Sequence, residues 1–223
     1  MLNKTHIPLI CFLFLEAVLY YFILTAGGDL LRYSSYAAIV LCFVFALLIG
    51  RRTNPLLSTG LAFTVGADFC LVICDPIQRL WGMVFFLAAQ TMYALYLHRR
   101  QKHNVLLLIR ILLIAIIEVI TIVILKDNLD ALAVISVCYY ANLVMNILAA
   151  FFQWKTAKLL PIAFVLFLLC DTVIGLQVAA GAYLPIPEGS ALYNLIFMDF
   201  NLSWLFYLPS QVLIALSACY KEK

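Results

Sequence analysis

The sequence predicts an all-α protein that crosses a membrane with eight helices. Of its 223 residues, 66% are hydrophobic and only 11% are charged, and the mean hydropathy is +1.09. A soluble domain of this size needs a far more polar surface. Apolar runs of about 20 residues, long enough to cross the hydrocarbon of a bilayer, recur along the whole chain. No stretch is left for a soluble domain, so residues 1–223 are interpreted as one transmembrane domain.

Charged or turn-rich breaks separate the eight predicted spans. The spans lie at 6–26, 34–50, 56–74, 78–98, 104–125, 130–152, 157–180 and 199–219. The second is short for a spanning helix, which allows it to begin earlier, near Arg32. Most connections between the spans are short, so we expect consecutive helices to pack antiparallel.

The basic residues predict the orientation of the spans. Three of the fourteen lysines and arginines fall on one side of the membrane, namely Arg32, Arg79 and Lys126. Arg110 lies just inside the fifth span and can extend its guanidinium to the opposite side. That side carries the other ten, which are Lys4, Arg51, Arg52, Arg99, Arg100, Lys102, Lys155, Lys158, Lys221 and Lys223. Because cytoplasmic loops are rich in Lys and Arg, both termini are expected in the cytoplasm.

Four carboxyl side chains lie well inside predicted spans, where acidic residues are rare and costly. They are Glu16, Asp68, Glu118 and Asp171. The last three each follow the inner end of their span by about 12–14 residues, or roughly 18–21 Å at about 1.5 Å per residue. Intramembrane acids usually face a bundle interior or a water-filled cavity. We therefore expect a polar site at one level in the outer half of the bilayer.

The spacing of these acids predicts an internal repeat. The glutamate and aspartate of the first and third spans are 52 residues apart, and those of the fifth and seventh are 53 apart. Two parallel halves of four helices, 1–103 and 104–223, would explain both values. The fourth helix of each half extends the match, because "FFLAAQ" ends at Gln90 and "FYLPSQ" ends at Gln211. The alternative is chance similarity between apolar segments.

Other polar side chains are predicted to join the acids in the same cavity. They share helix faces by their spacing: Gln90 with Tyr93, Tyr207 with Gln211, and Tyr139 with Asn142 and Asn146. Amides and phenols in hydrocarbon need partners. The alternative is that each of them only joins neighbouring helices by a hydrogen bond.

Several kinds of site have no support in the sequence. The three histidines, His6, His98 and His103, lie in or beside basic segments, so no zinc site is expected within the bilayer. No G-x-S-x-G, P-loop or G-x-G-x-x-G motif occurs. The seven cysteines fall in apolar segments and are interpreted as small core residues. We expect no metal, no cofactor and no nucleic-acid partner, and what remains is carboxyl, amide and phenol chemistry.

Four stretches carry a resemblance to a known family. They are "GADFCLVI" in the third span, "FFLAAQTMYALYL" in the fourth, "LLCDTVIGL" in the seventh and "FYLPSQVLIAL" in the eighth. Together they resemble the YhhN-like lysoplasmalogenase family, whose members have eight helices. The positions that match the family pattern are Asp68, Tyr93, Asp171, Tyr207 and Gln211.

The chain departs from the family pattern at three positions. Gln90 stands where the family usually has histidine, and Cys170 stands where it usually has serine. Asp68 follows Gly66 and Ala67 instead of following a glycine directly. The loss of the histidine bears on catalysis more than on the fold.

The resemblance implies hydrolysis of the vinyl ether bond of lysoplasmalogens, which gives a fatty aldehyde and a glycerophospho-ethanolamine or -choline. This reaction needs an acid to protonate carbon, an anion to stabilise the oxocarbenium ion and a base to activate water. Two carboxyl groups in different environments can divide these roles, as in glycosidases. We expect Asp68 and Asp171 to form the acid/base pair. The expected supporting residues are Gln90, Tyr93, Tyr207, Gln211, Tyr139, Asn142, Glu118 and Glu16.

The expected partner is a lysophospholipid or another single-chain lipid, together with the lipid of the surrounding membrane. Its head group is expected near the outer surface, where Arg79 and Arg32 could meet a phosphate. Two alternatives stay open: a proton-coupled transporter of lipids or small molecules, and a lipid-binding member of the same fold without catalysis. The compact loops favour a prokaryotic plasma membrane.

Overall fold

A computed structural model describes residues 6–50, 53–101, 104–124, 126, 130–182, 186–198 and 200–219. Within these ranges the regular structure is helical and includes no strand. Eight of the helices are long and apolar enough to cross a membrane. They confirm the predicted fold class and make the chain a multi-pass integral membrane protein.

The helices are numbered in chain order. They are α1 (His6–Thr25), α2 (Gly28–Phe45), α3 (Pro55–Asp68), α4 (Arg79–Gln101), α5 (Asn104–Ile124), α6 (Ala131–Phe151), α7 (Leu159–Ala182), α8 (Ala191–Ile196) and α9 (Leu202–Cys219). Two of them continue into five-residue π-helical segments, α2 into Ala46–Gly50 and α3 into Phe69–Ile73. The short α8 lies between the last two spanning helices.

The second spanning helix starts earlier than the predicted residue 34. It begins at Gly28, whose φ of 59° is a conformation that glycine adopts without steric cost. Asp29 follows in the first turn, where a carboxylate interacts favourably with the helix dipole. Because the helix is longer, Arg32 lies about one turn after its start. Its side chain bonds backbone carbonyls near the end of the third spanning helix.

Side-chain caps mark the starts of two other helices. Asp130 precedes α6, and its Oδ1 accepts a hydrogen bond from the backbone N–H of Ala133 at 2.7 Å. Ser190 precedes α8, and its Oγ accepts from the N–H of Tyr193 at 3.2 Å. Both side chains satisfy backbone donors that a helix leaves without a partner in its first turn.

Neighbouring spans pack in sequential pairs. The pairs are α1 with α2, α3 with α4, α5 with α6, and α7 with α9. Contacts of α4 with α6 and of α3 with α9 join these pairs into one bundle. Short connections would produce the same pairing without any repeat, so the internal repeat stays a prediction. The cytoplasmic position of the termini also stays a prediction.

Small residues let α3 and α4 approach closely. A methyl group at Gly60 would overlap the ring of Tyr93, a fully buried side chain of α4. Farther along the same interface, Gly82 faces Leu71 in the same way. The interface therefore depends on the absence of a side chain at these glycines, because the Tyr93 ring and the Leu71 side chain occupy the space that a Cβ would need.

Replacing Gly60 by alanine should destabilise the bundle. The added methyl group has to displace the Tyr93 ring, and overpacking of this kind costs about 1–3 kcal/mol. We expect the apparent Tm of the purified protein in detergent to fall by several degrees. The matched control is Gly175→Ala on α7, where no atom lies within 4 Å of the added carbon. An unchanged Tm for Gly60→Ala would contradict this account of the interface.

Candidate active site

Asp68 is bound by a tyrosine from the last helix. It is the final residue of α3, and its side chain is only 3% exposed. The hydroxyl of Tyr207, on α9, donates to Asp68 Oδ2 at 2.6 Å. The two residues are 139 positions apart in the chain. A buried carboxyl needs such a donor, because hydrocarbon offers it none.

Asp171 has an equivalent arrangement on the other side of the site. It lies on α7, is partly buried, and accepts a hydrogen bond at Oδ2 from the hydroxyl of Tyr139 on α6. The carboxyl groups of Asp68 and Asp171 are close enough to interact electrostatically. The structure thus brings together the two aspartates that the sequence singled out, each with a phenol from a different helix.

Two phenylalanine rings pack against both of these tyrosines. Phe86 lies 5.7 Å from Tyr139 and 6.3 Å from Tyr207, measured between ring centroids. Phe167 lies 5.4 Å from Tyr207 and 6.5 Å from Tyr139. Edge-to-face and tilted contacts at these distances are favourable. They keep both phenols in place and give the carboxyl groups an apolar surrounding, with buried Cys170 beside Asp171.

A change of helix type follows Asp68 directly. The π-helical segment Phe69–Ile73 begins at the next residue, and π turns within helices are frequent at functional sites. Arg32 supports the end of this segment from α2. Its Nε donates to the carbonyl oxygen of Val72 at 2.6 Å, and its Nη2 donates to that of Ile73. Carbonyls that a helix end leaves without a partner are satisfied in this way.

Tyr93 lies next to Asp68 without bonding it. Its hydroxyl is 3.4 Å from Thr64 Oγ1, and it is close enough to interact electrostatically with Asp68. One turn away on α4, Gln90 bonds α6: the Nδ2 group of Asn146 donates to the Gln90 backbone oxygen at 2.9 Å and to its Oε1 at 2.8 Å. The predicted polar faces of α4 and α6 therefore meet.

Three amide groups in this region have unused hydrogen-bonding capacity. Three of their atoms are buried and have no hydrogen-bond partner among the described residues, namely Gln90 Nε2, Asn146 Oδ1 and Gln211 Oε1. The other end of Gln211 donates to Ser210 Oγ at 3.2 Å. Buried polar groups are almost always satisfied, so one donor and two acceptors remain for water or a bound molecule.

The two glutamates have different positions. Glu16 is buried between α1 and α2, where its Oε1 accepts from the thiol of Cys42 at 3.2 Å. Glu118 lies on α5, where its carboxyl group is beside the thiol of Cys138 on α6. Asn142 bonds Arg110 at 2.6 Å and not an acid. These three are not hydrogen-bonded to the aspartates.

Several partners were not singled out from the sequence. The sequence predicts Cys42 only as a small core residue, and it makes no prediction for Thr64 or Phe167. Arg110 was expected to extend toward the membrane surface. No motif marks these contacts, because each joins different helices and depends on how those helices are rotated. Within the described ranges, no three His, Cys, Asp or Glu side chains lie close enough together to hold a metal ion.

The sequence model of the YhhN family matches residues 31–218, which is most of the chain. The chain belongs to the YhhN family. The matched region contains both aspartates and both of the tyrosines that bond them, whereas α1 with Glu16 precedes it. No curated protein and no solved structure was found to match this YhhN-family chain.

Replacing Tyr207 by phenylalanine should test its hydrogen bond to Asp68. The ring packing is preserved, but a buried carboxyl loses its donor, which costs about 1–3 kcal/mol. We expect a lower apparent Tm in detergent. Tyr33→Phe is the matched control, because the Tyr33 side chain is 58% exposed. Equal Tm values for the two variants would show that the Tyr207 hydroxyl has no stabilising role.

Proposed function

We propose that the protein is a membrane-embedded hydrolase that cleaves the vinyl ether bond of lysoplasmalogens. The products are a fatty aldehyde and glycerophosphoethanolamine or glycerophosphocholine. The observation that carries the proposal is the pair of neighbouring aspartates, each bonded by a tyrosine from another helix. Membership of the YhhN family supports it.

The reaction needs two proton transfers at one place. A carboxylic acid protonates the carbon of the double bond that is not bonded to the ether oxygen. This leaves an oxocarbenium ion, which a nearby carboxylate stabilises. A water molecule loses a proton to the base as it adds to the cation, and the hemiacetal that forms divides into aldehyde and alcohol. Like charges repel strongly in a medium of low polarity, so a close aspartate pair is suited to hold one proton and one negative charge.

The surroundings of the pair suit a lipid with one chain. The aromatic rings that pack on Tyr139 and Tyr207 limit water near the carboxyl groups, which strengthens electrostatic effects on a developing cation. The unused donor of Gln90 and the unused acceptor of Gln211 can orient water or the glycerol hydroxyl. Gln90 takes the place of the usual family histidine as an amide, so proton transfer is assigned to the aspartates.

Replacing either aspartate by asparagine should abolish aldehyde release. Asparagine keeps the shape and can still accept a hydrogen bond from the tyrosine, but it cannot transfer a proton, and loss of acid–base catalysis lowers rates by about 10²–10⁴-fold. The measurement is aldehyde release from lysoplasmalogen by purified Asp68→Asn and Asp171→Asn proteins. Asp75→Asn is the control, because Asp75 is an exposed carboxylate that follows the same helix.

Three results would count against the proposal. Full activity in either asparagine variant would show that the aspartate concerned is not catalytic. Wild-type protein that releases no aldehyde, but carries protons or lipids across vesicle membranes, would favour the transporter alternative. Wild-type protein with neither activity that still binds the lipid would favour a non-catalytic role.

A further inference from the structure

A second polar feature lies in a cavity between α4, α5 and α6. The cavity has a volume of about 220 Å³ and is lined mostly by apolar side chains. Its polar lining residues are Thr91, His98, Arg110 and Asn142. None of these residues bonds either aspartate, so the cavity is separate from the hydrogen bonds of the candidate active site. A concave, mainly apolar site with a few convergent polar groups is the usual form of a ligand pocket.

Arg110 is the cation of this cavity and lacks a counter-charge. Its side chain is half-buried, and its Nη1 donates to Asn142 Oδ1 at 2.6 Å. Within the described residues, no carboxylate lies close enough to Arg110 to pair with it. A guanidinium has five N–H donors, and a partly buried cation without an anion is unfavourable. An anionic ligand would supply the missing counter-charge and would accept hydrogen bonds from the remaining N–H groups of Arg110.

Phosphate is the anion that this arrangement suits best. A guanidinium can donate two parallel hydrogen bonds to phosphate oxygens. Asn142 holds one edge of the Arg110 side chain from α6 and leaves its other donors for the ligand. The apolar remainder of the lining, which includes Leu106, Ile111 and Met145, strengthens the attraction between the guanidinium and a phosphate, because charges interact more strongly in surroundings of low polarity.

Helix α6 contributes residues to the cavity and a tyrosine to the aspartates. Tyr139, which bonds Asp171, and Asn142, which bonds Arg110, are three residues apart. Side chains at this spacing lie on successive turns of one face, about 5 Å apart along the helix axis. In a lysophospholipid, the glycerol unit separates the phosphate from the ether oxygen of the chain. The order of groups along α6 matches the order of groups in such a lipid.

We propose that this cavity binds the phosphate group of a single-chain phospholipid. Arg110 binds the phosphate, and Asn142 is a positioning residue that holds the Arg110 side chain. The inference deepens the proposed function and rests on it for the identity of the lipid as a substrate. The sequence favoured Arg32 and Arg79 for the phosphate, but Arg32 donates to helix-end carbonyls, and Arg79 is exposed at the start of α4.

The test measures binding of an analogue that the enzyme cannot cleave. A 1-O-alkyl lysophosphatidylethanolamine has a saturated ether in place of the vinyl ether, and the 1-O-alkylglycerol of equal chain length lacks the phosphate. Dissociation constants are measured by microscale thermophoresis on the full chain in a non-ionic detergent. Wild-type protein should bind the phospholipid analogue about tenfold or more tightly than the alkylglycerol, as expected for charge-assisted hydrogen bonds.

Substitutions at Arg110 should remove this preference selectively. Arg110→Gln should weaken the phospholipid analogue about tenfold or more and leave alkylglycerol binding unchanged, which also shows that the variant is folded. Arg110→Lys should retain part of the preference, because it keeps the charge but not the paired donors. Arg79→Gln, at an exposed arginine, is the matched control and should bind like wild type.

A variant that fills the cavity supports the same test without changing charge. Ala94 lines the cavity from α4, and Ala94→Phe should weaken both ligands. Unaltered binding of the phospholipid analogue by Arg110→Gln or by Ala94→Phe would overturn the proposal. Inorganic phosphate or glycerophosphoethanolamine that binds as tightly as the lipid, and only with Arg110 present, would show a site for free phosphate compounds and refute the lipid assignment.

The two proposals can fail separately. If wild-type protein releases aldehyde from lysoplasmalogen while Arg110→Gln changes neither binding nor KM, the hydrolase proposal stands and the phosphate site is wrong. If the Arg110-dependent preference is observed but no aldehyde forms, the phosphate site stands and the hydrolase proposal is wrong.

Discussion

The hydrogen bonds that two tyrosines donate to two aspartates constrain the rest of this bundle. A carboxyl group that faces hydrocarbon has no water to bond, so another helix has to supply the donor. Tyr207 therefore sets the rotation of α9 against α3, and Tyr139 sets that of α6 against α7. The apolar surfaces of these helices would allow many rotations, because side chains such as Leu and Phe pack in several ways. The aspartates exclude all but those in which a phenol reaches them.

The sixth helix extends this constraint to three neighbours. Its polar residues bond a different helix at each turn: Tyr139 bonds α7, Asn142 bonds α5 and Asn146 bonds α4. Polar bonds between membrane helices are individually modest, worth about 0.6–2 kcal/mol. Three on one face nevertheless define a single orientation for α6. The proposed roles of an acid, a cation and an amide are thereby arranged along one rigid axis, which suits a linear substrate better than a compact one.

The eight spans were predictable because length and apolarity are summed over about 20 residues, and single exceptions do not change the result. The importance of Asp68 and Asp171 was predictable for a related reason, since an acid inside a span needs an explanation by itself. The hydrogen-bond partners of the polar residues were harder to predict. The bonds between Asn142 and Arg110 and between Glu16 and Cys42 depend on helix rotations that no local sequence pattern encodes. The sequence allowed α2 to start near Arg32 but not as early as Gly28, because Gly28 and Asp29 resemble an ordinary loop in sequence.

The π-helical segment after Asp68 affects where the third spanning helix can change in length. A π turn contains one residue more than the α turn that it replaces. Deletion of one residue within Phe69–Ile73 would let the segment close as an ordinary α-helix, and the preceding helix with its carboxyl group would stay in position. Deletion of one residue within Pro55–Asp68 would instead rotate Asp68 by about 100° relative to the packed part of the helix, away from Tyr207. The C-terminal end of this spanning helix can therefore tolerate a deletion that its N-terminal part cannot.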